Sequence, residues 1–123
     1  MDAGWVGLGG ALGAVARYGV LTLAARLAPA GFPWGVLAAN VAGSLAIGAL
    51  AGWGSVRGGW GEGARLFLFV GVLGGFTTFS SVTGDTLALL REGHALAALG
   101  NVALSLALGL GAAAIGYALV RAL

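Results

Sequence analysis

The side chains able to do chemistry in this 123-residue sequence are few, and most stand inside apolar runs. Asn40 is the one strongly polar group in an uncharged stretch, and Arg17 is the one charge inside the first apolar run. The densest polar cluster is Gly74-Gly75-Phe76-Thr77-Thr78-Phe79-Ser80-Ser81, followed by Thr83 and Asp85. Asn101 and Ser105 stand four apart and so share a helical face. None of these groups makes a nucleophile–base pair or a metal-ligating cluster. Cysteine is absent, and His94 is alone in a polar connection. An enzyme is therefore not expected. What these groups can do is bind small ions: freed carbonyls suit a hard cation, and amides and hydroxyls suit an anion.

The elements that must position them are set by composition. Hydrophobic residues make up 59% of the chain and charged residues 8%, against about 25% charged in a soluble domain. So few charges could not keep a compact surface wet. A membrane-spanning helix takes about 20 apolar residues, and four such spans fit, over about 4–28, 34–52, 65–90 and 95–120. They leave no room for a second domain. The expected class is an all-α, multi-pass membrane protein of one domain. The six arginines give a formal charge of +2 with no basic patch, which excludes nucleic acid as a partner. The acidic second residue and the long first apolar run read as a retained span, not a cleaved signal.

Trp5, Trp34, Trp53 and Trp60 all fall near expected span ends, as indoles at the headgroup level do. Small residues recur four apart at Gly9 and Gly13, Ala39 and Gly43, Gly48 and Gly52, and Gly71 and Gly75, a spacing that lets helices in lipid approach closely. With the N-terminus cytoplasmic, Arg57, Arg65 and Arg121 lie inside and Arg26 and Arg91 outside. Three against two is almost no bias, so the chain is expected to insert in both orientations, which permits an antiparallel dual-topology dimer.

The third span carries a conflict. Each interior glycine costs about 1 kcal/mol of helix propensity relative to alanine, and Thr77 and Thr78 are β-branched and stiff. The helix is expected to break near 74–78, mid-membrane. Backbone groups freed there must be buried in protein or line a polar cavity, and broken helices of this kind recur in ion sites. By itself Asn40 supports either a helix–helix hydrogen bond or donation to an anion. Arg17 has three readings: attraction of anions to a vestibule, bonding to loop carbonyls, or snorkelling to the interface.

Three stretches together resemble the Fluc fluoride channels, also called the CrcB family: Gly10-Ala11-Leu12-Gly13-Ala14-Val15-Ala16-Arg17-Tyr18, Trp34-Gly35-Val36-Leu37-Ala38-Ala39-Asn40-Val41-Ala42-Gly43-Ser44, and Gly71-Val72-Leu73-Gly74-Gly75-Phe76-Thr77-Thr78-Phe79-Ser80. Their order and the four-span frame cover essentially the whole chain. The resemblance implies a passive fluoride channel that exports cytoplasmic fluoride through the cell inner membrane, with two pores per antiparallel dimer. The partner is a second copy or a paralogous chain. It implies a structural sodium ion held by the main-chain carbonyls of Gly74 and Thr77. Asn40 matches the family's pore asparagine, and Phe79 the first ring of its aromatic box. Val82 departs from the phenylalanine of the second box position. Asn101 and Ser105 match a polar track whose next position, Gly109, has no hydroxyl, and Val36 stands where threonine is frequent. Asp85 matches a common acidic residue, readable as a pore group or as a solvated helix end.

Two other functions fit four short spans. A small multidrug-type proton-coupled cation exporter needs a membrane-embedded carboxylate, whereas Asp2 and Glu62 fall outside the spans and Asp85 lies near an end. A non-transporting assembly subunit would use the glycine faces but has no need for the polar groups at 40 and 74–78.

Overall fold

The computed structural model describes residues 1–123 and is entirely helical, with four helices long and apolar enough to cross a membrane. Helix α1 spans Asp2–Leu27 and stops at Ala28, whose extended backbone precedes Pro29, as the residue before a proline prefers. Helix α2 spans Trp34–Arg57, directly after Pro33. The last of the four helices spans Ala95–Ala122.

Helix α2 runs further than the sequence suggests. The glycine-rich segment after residue 52 continues as helix to Arg57 and ends at Gly58, which takes φ 84° as a left-handed cap, a conformation glycine adopts without a Cβ clash. Local contacts favour the extension: the Ser55 hydroxyl donates to the Gly52 carbonyl at 2.7 Å, and the Arg57 guanidinium lies 4.7 Å over the Trp53 ring. Trp60 then folds back and donates its indole N–H to the Leu50 carbonyl at 2.9 Å. It packs the loop onto the bundle, unlike the more exposed Trp5, Trp34 and Trp53.

The third span runs from Glu62 to Arg91. It opens with the short helix α3 (Glu62–Arg65), widens into a π-helical segment over Leu66–Leu73, and returns to an α-helical turn, α4, over Gly74–Phe76. Thr77 and Thr78 then take extended backbone angles, and helix α5 begins at Phe79 and continues to Arg91. Both halves follow one path across the span, so the departure from helix is local to two residues. The π segment has no counterpart in the sequence reading; wide turns of this kind are rare and cluster at functional sites.

Glycines set the packing. Helix α1 lies against the first half of the third span, where Gly9 meets Gly71, Gly13 meets the Val72 carbonyl, and Gly75 meets the Gly10 carbonyl. Helix α2 lies against the last helix, α6 (Ala95–Ala122), where Gly48 meets Ala113, Gly52 meets Tyr117, and Gly116 meets Leu45. A Cβ at any of these glycines would enter a neighbouring backbone. Helix α5 packs on α6. Only 18 of 123 residues are buried, so burial of most leucines is left to lipid or to another chain.

Candidate functional site: a groove at the interrupted span

The two extended residues leave backbone groups that a helix would have paired. In an unbroken helix the Thr78 amide would reach back to the Gly74 carbonyl. Here it donates to Asn40 Oδ1 at 2.7 Å, and Asn40 Nδ2 donates to the Thr78 carbonyl at 3.0 Å. One side chain of α2 thus satisfies both main-chain groups of Thr78, as a neighbouring strand would. Groups of this kind cost about 1–3 kcal/mol each when buried unpaired. The close approach this needs comes from Gly43, one turn on, which faces the Thr77 methyl with no side chain of its own.

Two further contacts fix the interruption. Arg17 Nη1 donates to the Thr77 carbonyl at 3.3 Å. Of the three readings of Arg17, this arrangement is the bond to a loop carbonyl. The Thr77 amide and hydroxyl both donate to the Leu73 carbonyl, at 2.9 and 2.8 Å. Thr78 caps α5 by accepting from the Ser81 amide at 3.2 Å, as a threonine N-cap does.

Around this point α2, the third span and α6 enclose a groove of about 800 Å³. Asn40 and Ser44 line it from α2, Gly74, Thr77 and Thr78 from the interruption, and Ser105 from α6. One face of α5 supplies Phe79, Val82, Thr83, Thr86, Leu87 and Leu90, which fall at the i, i+3, i+4, i+7 spacing of a single helical face. The Phe79 ring is 76% exposed, so it is free to meet a groove occupant or another chain. Val82 is buried in the wall and offers its carbonyl to Thr86 Oγ1 at 2.7 Å.

Asn101 stands behind the groove. It is fully buried, and its Nδ2 donates to Thr86 Oγ1 at 3.0 Å and to the Val82 carbonyl at 3.4 Å. Both amide hydrogens are spent on the wall, so within this chain Asn101 positions α5 against α6. Its Oδ1 has no partner, nor has the buried hydroxyl of Ser105. Asp85 is apart from the groove; it lines a smaller cleft with Leu21, Ala24, Pro33 and Gly35, and its Oδ2 is buried without a partner. Val36 is also buried away from the groove.

From the sequence, Thr78 stands out only for its stiffness and not as the backbone partner of Asn40, and Thr86, the partner of Asn101, does not stand out at all. A signal for Thr86 is its place on the Phe79 face of α5. Thr78 has no such signal, because its part is played by main-chain atoms that only the fold brings to Asn40.

Whether the interruption suits a cation can be judged from its oxygens. The Gly74 carbonyl has lost its usual helical donor to Asn40, and Gly74 is exposed. The Thr77 carbonyl takes Arg17 on one lone pair and keeps the other. These are hard, uncharged ligands of the right kind, but hard cations such as calcium take about six to eight oxygens. The chain alone fits only part of such a shell.

Comparison with known proteins agrees with this architecture. The family described as "CrcB-like protein, Camphor Resistance (CrcB)" matches residues 4–117. The chain is 51% identical over 118 residues to a protein of Thermus thermophilus named fluoride-specific ion channel FluC, covering 96% of this chain and 94% of that one. Proteins of the same name from Paracoccus denitrificans and Hyphomonas neptunium are 50% and 48% identical over 118 and 117 residues, covering 96% and 94% of this chain and 93% and 92% of theirs.

Proposed function

The chain belongs to the CrcB-like protein family, and on that premise we propose that it is a passive fluoride channel, exporting cytoplasmic fluoride across the cell inner membrane. The function is conduction and involves no enzymatic step. The observation that carries the reading is the groove itself. A largely apolar groove at the interrupted span carries a polar strip: the Thr78 main chain clamped by Asn40, the hydroxyls of Ser44 and Ser105, and the exposed Phe79 ring. A packing subunit has no use for such a cavity in hydrocarbon.

Fluoride is small and strongly hydrated, so a pore must replace its water with donors. Asn40 spends one amide hydrogen on Thr78 and keeps a second. Ser105 adds a hydroxyl. The Phe79 ring has a positive edge that can face an anion. Hydrogen fluoride crosses a membrane neutral and ionises in the less acidic cytoplasm. A negative interior then drives the anion outward by about 2.3 kcal/mol per 100 mV.

The working unit of this reading is an antiparallel dimer with two pores, formed by a second copy or by a paralogous chain. Three features support it: arginines split almost evenly between the two ends of the spans, the Phe79 ring is exposed, and the carbonyl set is incomplete in one chain. Two oppositely inserted chains would pool the Gly74 and Thr77 carbonyls at their interruptions. Those four oxygens would hold a structural sodium ion, which when bound supplies positive charge beside the two pores. Replacing sodium by a bulky organic cation should lower the melting temperature of the purified protein. An unchanged melting curve would remove sodium from the scheme.

Val82 leaves the second aromatic position without a ring; Phe79 and, from the π-helical segment, Phe69 are the rings that line the groove. The cation-exporter reading is disfavoured because the groove contains no carboxylate; Asp85 lies in the other cleft.

The deciding experiment is ion efflux from liposomes containing only this purified chain. Fluoride release without chloride release is expected. Equal chloride release, or proton-driven uptake of an organic cation, would overturn the channel reading.

A further inference from the structure

Hydroxyls in a helix usually spend their hydrogen on a carbonyl of the preceding turn. Thr22, Ser55, Thr77, Thr83 and Thr86 all do so here, donating to the carbonyls of Tyr18, Gly52, Leu73, Ser80 and Val82. Each of these hydroxyls therefore faces its surroundings as an acceptor, which repels an anion. On the groove wall this removes Thr77, Thr83 and Thr86 as donors. Two groove serines break the pattern. Ser105 Oγ has no partner, and Ser44 Oγ makes none of the side-chain hydrogen bonds in the chain while lining the groove one turn beyond Asn40.

The register between α2 and α6 gives Ser44 a particular place. Gly48 meets Ala113 and Gly52 meets Tyr117, a constant offset along two parallel helices. The same offset sets Asn40 level with Ser105 and Ser44 level with Gly109. A Cβ added at Gly109 would find only Ser44 Oγ within 4 Å, at 3.4 Å. The polar track of α6 lacks a hydroxyl at Gly109, and the space that hydroxyl would enter is occupied by one from α2.

We infer that Ser44 is a fluoride-binding donor of this channel, supplying from α2 the hydroxyl that Gly109 does not carry. This rests on the fluoride-channel reading above. The donor set along the groove is then the second amide hydrogen of Asn40 and the hydroxyls of Ser44 and Ser105, two from α2 and one from α6, with the helices held in register by glycines.

The test is fluoride efflux from liposomes with four purified proteins: wild type, Ser44→Ala, Ser44→Ala/Gly109→Ser and Ser44→Ala/Gly109→Ala, each checked for an unchanged melting curve. Removing one donor to a charged ion should slow efflux by about tenfold. Gly109→Ser should restore most of the rate, because the alanine at 44 vacates the contact a Cβ at 109 would meet. Gly109→Ala fills the same space without a hydroxyl and should restore nothing. Efflux from Ser44→Ala at the wild-type rate, or equal rescue by Gly109→Ala, would overturn the assignment. Wild-type vesicles that release no fluoride would instead overturn the channel reading on which it rests.

Discussion

Asn40 shows how one side chain can close a main-chain break: it pairs with both backbone groups of Thr78. Its amide is the only group that satisfies both main-chain atoms of Thr78, so its orientation is fixed by the fold, and it lines the groove with one amide hydrogen unspent. Asn40→Asp retains the oxygen that accepts from the Thr78 amide, loses the donor to the Thr78 carbonyl, and places a negative charge in the groove. Fluoride efflux from reconstituted vesicles should fall to the protein-free background. Arg17 acts one step further away. The carbonyl that its guanidinium holds, on Thr77, is the one that follows the α4 turn. The charge that looked anomalous in an apolar helix is accounted for by a backbone acceptor that lipid could not have satisfied.

At the scale of the helix, glycine is used selectively. Gly13 is pressed against the Val72 carbonyl, whereas Gly19, on the same helix, has nothing within 4 Å. Gly13→Ala should therefore lower stability by about 1–3 kcal/mol, the usual cost of overpacking, while Gly19→Ala should be neutral or gain up to about 1 kcal/mol from helix propensity. Thermal melts in detergent distinguish the two. The π-helical segment Leu66–Leu73 contains Gly71, which packs directly on the α1 backbone at Gly9. Substitutions at that glycine should disturb the α1 contact before they reach the groove.

At the scale of the whole molecule, the arginines are split almost evenly between the two ends of the spans. Arg57, Arg65 and Arg121 lie toward one end of the spans, and Arg26 and Arg91 toward the other; the Glu62–Arg65 ion pair is exposed and worth little. Adding two arginines in the 58–61 connection should lock one orientation, and adding two at 29–31 the opposite one. If the working unit contains oppositely inserted copies, each locked form should support little fluoride export alone, and co-expression of the two should restore it. Full activity from either locked form would remove the antiparallel arrangement.

Composition and hydropathy are enough to fix the solvent and the number of crossings. Charge at 8% cannot dress a water-facing surface, and four apolar runs of spanning length admit one architecture. Glycine and threonine adjacent in an apolar helix mark a conflict at 74–78; the structure answers it with two extended residues, Thr77 and Thr78, inside one continuous span. What becomes of the freed groups depends on how the helices pack. That Thr78 pairs with Asn40, that Thr77 is held by Arg17, and that Ser44 faces Gly109 depend on atoms 38, 60 and 65 residues apart in the chain. Such pairings follow from helix register and close glycine contact, which no local pattern encodes. The same holds for Asn101: its spacing from Ser105 suggested a shared face, but its burial behind Thr86 was settled by how α5 and α6 meet.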